Sequence, residues 1–307
     1  MTGLLPVPII VIINRKQGNM ISDHRCFFCF TRAFEKLLAK ENIPIEEKNA
    51  FTKEMITLYQ DRWEELYSPE FSRELHTVLR KYTNNPDPYK AEKKLNNKQA
   101  LSLVTEVRKI ISQSEDPFRT ALRIAIAGNI IDFAANDNFN IVTTIEKALD
   151  SDFSIDFSGD LQKRLAKAGS VLYLGDNAGE IVFDRIFIET IKHPNLTFVV
   201  RGGPVINDAT MEDAVYTGMT DVARVISSEY DAPSTIVHRS GELLQKHFRE
   251  ADLIISKGQG NLEGLLPLDD KRIFFLLMVK CNVIAELLRV NKDSLIVYNT
   301  SCHSNAQ

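Results

Sequence analysis

Two rhythms of apolar residues divide the chain. Between 21 and about 165 they recur at helical spacing, as in Phe27, Phe30, Phe34, Leu37 and Leu38 and again in Leu101, Leu103, Val104, Val107, Ile110 and Ile111. Asn84-Asn85-Pro86-Asp87-Pro88 breaks this region between helices, and Tyr89-Lys90 sets a basic group beside that loop. The charged run at 90–98 reads as a solvated helix face. From about 166 the rhythm changes. Short β-rich runs at 170–174, 197–201, 222–227, 252–256 and 294–298 alternate with stretches long enough for crossover helices, which predicts a parallel, three-layer sheet. The expected fold is therefore α/β: a helical N-terminal domain over 21–165 and a Rossmann-like parallel-sheet domain over 166–307. Residues 1–20 read as a non-native or disordered extension, because the apolar run at 4–13 lacks a preceding basic residue and a clear cleavage site.

Composition narrows the class without naming a function. The 307 residues are 44% hydrophobic and 25% charged, with a net charge of −4, which fits a globular protein and carries no nucleic-acid footprint. No run reaches the ~18 apolar residues of a membrane span, so neither membrane nor nucleic acid is an expected partner and the cytoplasm is the expected location. Four cysteines are present. Cys26 and Cys29 form half of a zinc-type motif, with His24 near in sequence and Cys281 able to approach in the fold, but no second pair has zinc spacing. Two small buried hydrophobes are the plainer reading of the pair.

The chemistry gathers where predicted strands end. Val171-Leu172-Tyr173-Leu174 runs into Gly175-Asp176-Asn177-Ala178-Gly179-Glu180 at the start of a helix. Phe198-Val199-Val200-Arg201 leads to Asn207-Asp208, again before a helix. Leu253-Ile254-Ile255-Ser256 leads to Lys257-Gly258-Gln259-Gly260-Asn261. Ligands bind at such edges in open α/β sheets. Asp and Asn carry hard oxygen donors suited to Mg²⁺ or Mn²⁺, and a Lys among glycines suits an anion. Helix capping accounts for any one of these edges, and poorly for all three. Asn129 and Asp132 add two polar side chains on one face of an otherwise apolar helix.

These motifs, in this order, resemble the DUF89 damage-control phosphatases, and most closely their prokaryotic-type subfamily with an N-terminal Cys-x-x-Cys. The resemblance covers about residues 20–299 and rests also on Arg25-Cys26-Phe27-Phe28-Cys29, on residues 127–133 and on Arg272-Ile273-Phe274-Phe275-Leu276-Leu277 with Lys280-Cys281. It implies a metal-dependent phosphatase of small phosphorylated metabolites, such as sugar phosphates or damaged cofactor precursors, and places Asn129 and Asp132 at the site. On this reading Asp176, Asn177 and Asp208 ligate one divalent ion (Mn²⁺, Co²⁺, Ni²⁺ or Mg²⁺) that activates water. Lys257, Gly258, Gly260 and Asn261 bind the substrate phosphate. Glu180 serves either as general acid or base or as a carboxylate favouring the helix dipole, and Asn207 is assigned to an Asx-turn rather than to the ion. Asp176 as a phosphorylated nucleophile is disfavoured, since Ala178 stands where a second Asp is needed. No P-loop spacing exists, and Gly258-Gln259-Gly260 lacks the third glycine of a dinucleotide fingerprint. The rival readings are an S-adenosylmethionine-dependent carboxyl methyltransferase and a non-catalytic metabolite- or metal-binding protein.

Overall fold

A computed structural model describes residues 13–14, 19–20, 23–65, 67–128, 149 and 151–301. Two short strands, β1 (Ile13–Asn14) and β2 (Asn19–Met20), pair antiparallel. Among the described residues six helices follow: α1 (His24–Lys40), α2 (Ile45–Arg62), α3 (Ser68–Thr83), α4 (Lys90–Ser102), α5 (Val104–Gln113) and α6 (Pro117–Ala127). Asp23 caps α1 by accepting from the Arg25 N–H, and Asp116 caps α6, with Pro117 in its first turn, by accepting from the Arg119 N–H. Then come β3 (Phe153–Asp156), α7 (Ser158–Leu165), β4 (Val171–Leu174), α8 (Glu180–Ile191), β5 (Leu196–Val200), α9 (Met211–Tyr216), β6 (Arg224–Ser227), α10 (Glu242–Glu250), β7 (Leu253–Lys257), α11 (Gly258–Leu265), β8 (Ile273–Met278), α12 (Asn282–Leu288) and β9 (Leu295–Asn299).

The seven strands from β3 to β9 form one sheet in the order β3-β9-β8-β7-β4-β5-β6. Every neighbouring pair is parallel except β8 with β9. The predicted parallel α/β sheet is thus present, with one antiparallel pair added. The five predicted strands correspond to β4, β5, β6, β7 and β9. The other two, β3 and β8, were not predicted. β3 has four residues, and Ile273 to Met278 is apolar without alternation because both its faces are covered.

Alternation along the strands splits the sheet's apolar side chains between two cores. Val171, Tyr173, Phe198, Ile255, Phe274 and Val297 face α4, α5, α6 and α8. Leu172, Leu174, Val199, Ile254, Phe275 and Ile296 face α10, α11 and α12. A third core, built on Phe34, Phe51, Phe71, Leu75 and Leu79, belongs to α1–α3 alone. Within the helical region the periodic run at 101–111 is interrupted at Leu103, between α4 and α5. The charged run at 90–98 is only partly solvated, since Lys93, Asn96 and Asn97 are buried.

The strand order fixes the site. The chain moves from β4 outward through β5 and β6, then returns across β4 to β7 and β8. The reversal lies between β4 and β7, so a crevice opens at their carboxyl ends.

Candidate active site at the strand-order reversal

The loops after β4 and β5 are joined by main-chain bonds. Ala178 N donates to Asn207 O (2.8 Å), Ala209 N donates to Asp176 O (2.8 Å), and Asn177 and Asp208 form an isolated antiparallel bridge. This pairing brings Asp176, Asn177 and Asp208 together on the floor of a cavity of about 210 Å³. Gly258, at φ +81°, begins α11 directly against Asp176, where a Cβ would run into the carboxylate. Ile206 also lines the cavity and holds φ +44°, a costly conformation for a β-branched residue and one that collects at functional loops.

Arg201, the last link between the two loops, is almost wholly buried. Its Nε donates to Asp208 Oδ2 at 2.6 Å, and a terminal nitrogen lies 3.5 Å from Asp176 Oδ1. Burial, reinforced by the neighbouring Asp208 and Glu180 charges, pushes the Asp176 carboxyl up to about 8. Burial likewise raises Asp208, against the opposing pull of Arg201 and Lys280. Lys280 follows β8, is exposed, and lines the same cavity.

Beneath the floor runs a second polar layer. Asn177 Nδ2 donates to Asp176 Oδ2 (2.7 Å) and Glu180 Oε2 (3.1 Å). Glu180 Oε1 accepts from Lys257 Nζ at 2.6 Å. That ammonium also donates to Asp184 Oδ1 (2.5 Å) and Ala125 O (2.9 Å). Burial works against the Lys257 charge, but Asp184 and Glu180 outweigh it and hold its pKa above the usual lysine value. Burial raises Asp184 to about 6 in spite of Lys257, and Tyr173 OH donates to the same Oδ1 at 2.7 Å.

The predicted site residues therefore fall into groups. Asp176, Asn177, Asp208 and Gly260 line the cavity, and Gly258 abuts it. Lys257 and Glu180 do not line it; the lysine is fully buried and its three protons have acceptors in Ala125, Glu180 and Asp184. Asn261 is equally buried and staples three loops: its Oδ1 accepts from Thr235 N (2.6 Å), and its Nδ2 donates to Gly175 O (3.1 Å) and Lys257 O (2.8 Å). Asn129 and Asp132 lie outside the described residues. Cys26 is half-buried and Cys29 exposed, so the pair is not simply a core pair.

Three participants had no role in the sequence reading. Arg201 and Lys280 stood inside quoted motifs, but only the fold brings them to the carboxylates. Asn97, in the run read as solvated, is 1% exposed. Its Oδ1 accepts from Gly179 N (2.6 Å) and its Nδ2 donates to Asp213 Oδ1 (2.7 Å). Asp213 Oδ2 in turn accepts from the Thr210 N–H and hydroxyl (2.8 Å each), closing a capping box. Asn97 thus ties α4 to both acidic loops.

Two carboxylates and an amide oxygen on paired loops suit a hard cation. Both carboxyls resist ionising in their buried place, which a bound cation would reverse. Among the described residues no three His, Cys, Asp or Glu side chains form a metal-holding group.

The raised carboxyls make a prediction about pH. A folded-state pKa above the unfolded value means the native state binds more protons, so stability falls as pH climbs toward the folded pKa. His76, lowered to about 4 by burial, has the opposite sign, but its contribution varies only below its ordinary 6.5. Between pH 6.5 and 8, Tm measured in chelator should therefore fall, driven by Asp176 with help from Glu263, whose carboxyl burial raises to about 7. A flat or rising Tm over that window would contradict the raised pKa values.

An α/β sheet with acidic loops at its strand-order reversal defines a class of ligand-binding α/β proteins, and similarity to known proteins narrows it. The damage-control phosphatase ARMT1-like domain matches residues 22–296, and the chain belongs to that family. An uncharacterized protein of Methanocaldococcus jannaschii is 36% identical over 92% of this chain and 97% of its own length. A damage-control phosphatase of Pyrococcus horikoshii is 37% identical over 71% of this chain and 76% of its own, and one of Archaeoglobus fulgidus 33% identical over 68% and 75%. The crystal structure of a DUF89 family protein from Pyrococcus horikoshii superposes with a TM-score of 0.85 at 29% identity, covering 92% of this chain and all of that one. Among the described residues no helix is long and apolar enough to cross a membrane.

Proposed function

We propose that this protein is a divalent-metal-dependent phosphatase that hydrolyses small phosphorylated metabolites. The observation that carries this reading is the pair of buried carboxylates, Asp176 and Asp208, facing a small cavity that also presents Lys280. Two homologues named as damage-control phosphatases support it.

Asp176, Asp208 and the amide oxygen of Asn177 would hold the ion. When bound, it supplies Lewis-acid charge and lowers the pKa of a water in its shell. Arg201 grips Asp208 and lies near Asp176, fixing where the two carboxylates point. Glu180 and Asp176 both accept from the Asn177 NH₂, which ties the amide to the acidic loop. Lys257 holds Glu180 in place from below. Lys280 is then the cation for phosphate oxygens, a role that Lys257, with its protons committed, is poorly placed to fill. A cavity of about 210 Å³ lies below the ~300 Å³ at which pockets for drug-sized ligands begin, so it suits a small phosphomonoester better than S-adenosylmethionine.

The test is a phosphometabolite panel, with p-nitrophenyl phosphate as general substrate, assayed with Mn²⁺, Co²⁺, Ni²⁺ and Mg²⁺ and with chelator. Turnover should appear with at least one metal and vanish in chelator. Turnover that persists after exhaustive chelation would reject the metal-dependent reading, and no release of phosphate under any condition would reject the hydrolase.

A further inference from the structure

We propose that Ser72 on α3 and Glu263 on α11 form a subsite that selects the organic part of the substrate by its hydroxyl groups. The proposal rests on the phosphatase reading above and names residues that reading does not use. Both side chains line the cavity whose floor holds Asp176 and Asp208, and α3 packs against α11.

Ser72 is 3% exposed, yet its hydroxyl has no hydrogen-bond partner among the described residues. It is also absent from the polar atoms that are sealed away without a partner, so its oxygen opens onto the cavity. Glu263 is in the same condition. One oxygen accepts from Gln259 Nε2 at 3.0 Å; the other has no partner among the described residues and is not sealed. Among the described residues no Lys, Arg or His pairs with this carboxyl, and burial raises it to about 7. A carboxyl shifted toward its neutral form can donate as well as accept, which suits a neutral hydroxyl.

Gln259 links Glu263 to the segment after β8. Its Oε1 accepts from the Lys280 main-chain N–H at 3.0 Å, while its Nε2 holds Glu263. One amide thus ties the main chain at Lys280 to the carboxyl proposed for hydroxyls. Phe30, also on the cavity wall, offers an apolar face for a carbon skeleton. Unpaired polar groups in such a wall discriminate strongly, because a ligand lacking the matching hydroxyl leaves them unsatisfied.

The test compares glycerol phosphate with propyl phosphate, which share a three-carbon chain and differ in hydroxyls, at saturating Mn²⁺. The parent should favour glycerol phosphate in kcat/KM by tenfold or more. Glu263→Ala and Ser72→Ala should each shrink that preference several-fold, chiefly by raising KM for glycerol phosphate, and Glu263→Gln should restore part of it. A parent without preference, or variants whose two substrates lose activity equally, would overturn the subsite while leaving the hydrolase intact. A parent that hydrolyses neither ester with any of the four metals, nor p-nitrophenyl phosphate, would overturn the hydrolase reading and this subsite with it. Tm of each variant separates loss of fold from loss of recognition.

Discussion

Asp176→Asn is expected to cut metal-dependent turnover by on the order of 10³-fold while leaving the metal-free fold at least as stable as the parent. The two effects have one origin. Asp176 is buried beside Asp208 and Glu180, and its carboxyl is pushed up to about 8, so its negative charge is a cost to the folded chain. Asparagine keeps the shape and still offers an oxygen to the Asn177 amide, now 2.7 Å from Asp176 Oδ2. What it removes is the charge that a cation would need. Steady-state kinetics with Mn²⁺ and urea unfolding in chelator at pH 8 check both halves. Turnover above a tenth of the parent would move the essential charge to another residue. Marked destabilisation would mean that the native state gains from that charge even without metal.

Lys257→Met is expected to destabilise the protein by about 3–5 kcal/mol and to lose turnover as a result. Taking away the ammonium leaves Glu180 and Asp184 buried against each other with their common partner gone. A phosphate-gripping lysine behaves differently: its loss raises KM or lowers kcat and leaves the unfolding curve nearly unchanged. The urea midpoint therefore decides between the sequence-based role and the structural one. Asp184→Asn in the Lys257→Met background should recover part of the lost stability by removing one of the two orphaned charges. An unchanged midpoint for Lys257→Met would return the lysine to the phosphate.

The contrast over Lys257 shows how far the chain could be read without its fold. The strand-to-helix edges at Leu174, Val200 and Lys257 were legible because apolar runs ending in Gly, Asp and Asn have few other uses. The direction of Lys257 was legible too, through parity. It lies two residues after Ile255, whose side chain faces the core shared with α6 and α8, so Lys257 points into that layer and not out of the sheet edge. The lure of a Lys beside two glycines hid this. Lys280 was not legible as a cavity residue, because its nearness to Asp176 depends on β8 pairing with β7, and β8 lacks the alternation that marks a strand. Asn97 was hidden for another reason: a polar side chain in a lysine-rich run looks solvated until the loop it binds is known.

The separate core of α1–α3 has an evolutionary consequence. These helices carry Phe30 and Ser72 to the cavity, but apart from Tyr67, which packs with Ala232 and Ile236, their buried apolar residues belong to no cluster shared with the sheet. They are fastened by charged contacts instead: Arg25 to Glu286 (2.7 Å), and Arg73 (2.5 Å) and Arg80 (2.8 Å) to Asp231. A lineage can redraw the helical wall of the cavity, residue by residue, without disturbing the buried charges under the two acidic loops. One wall of the cavity can thereby change at a different rate from the loops that carry Asp176 and Asp208.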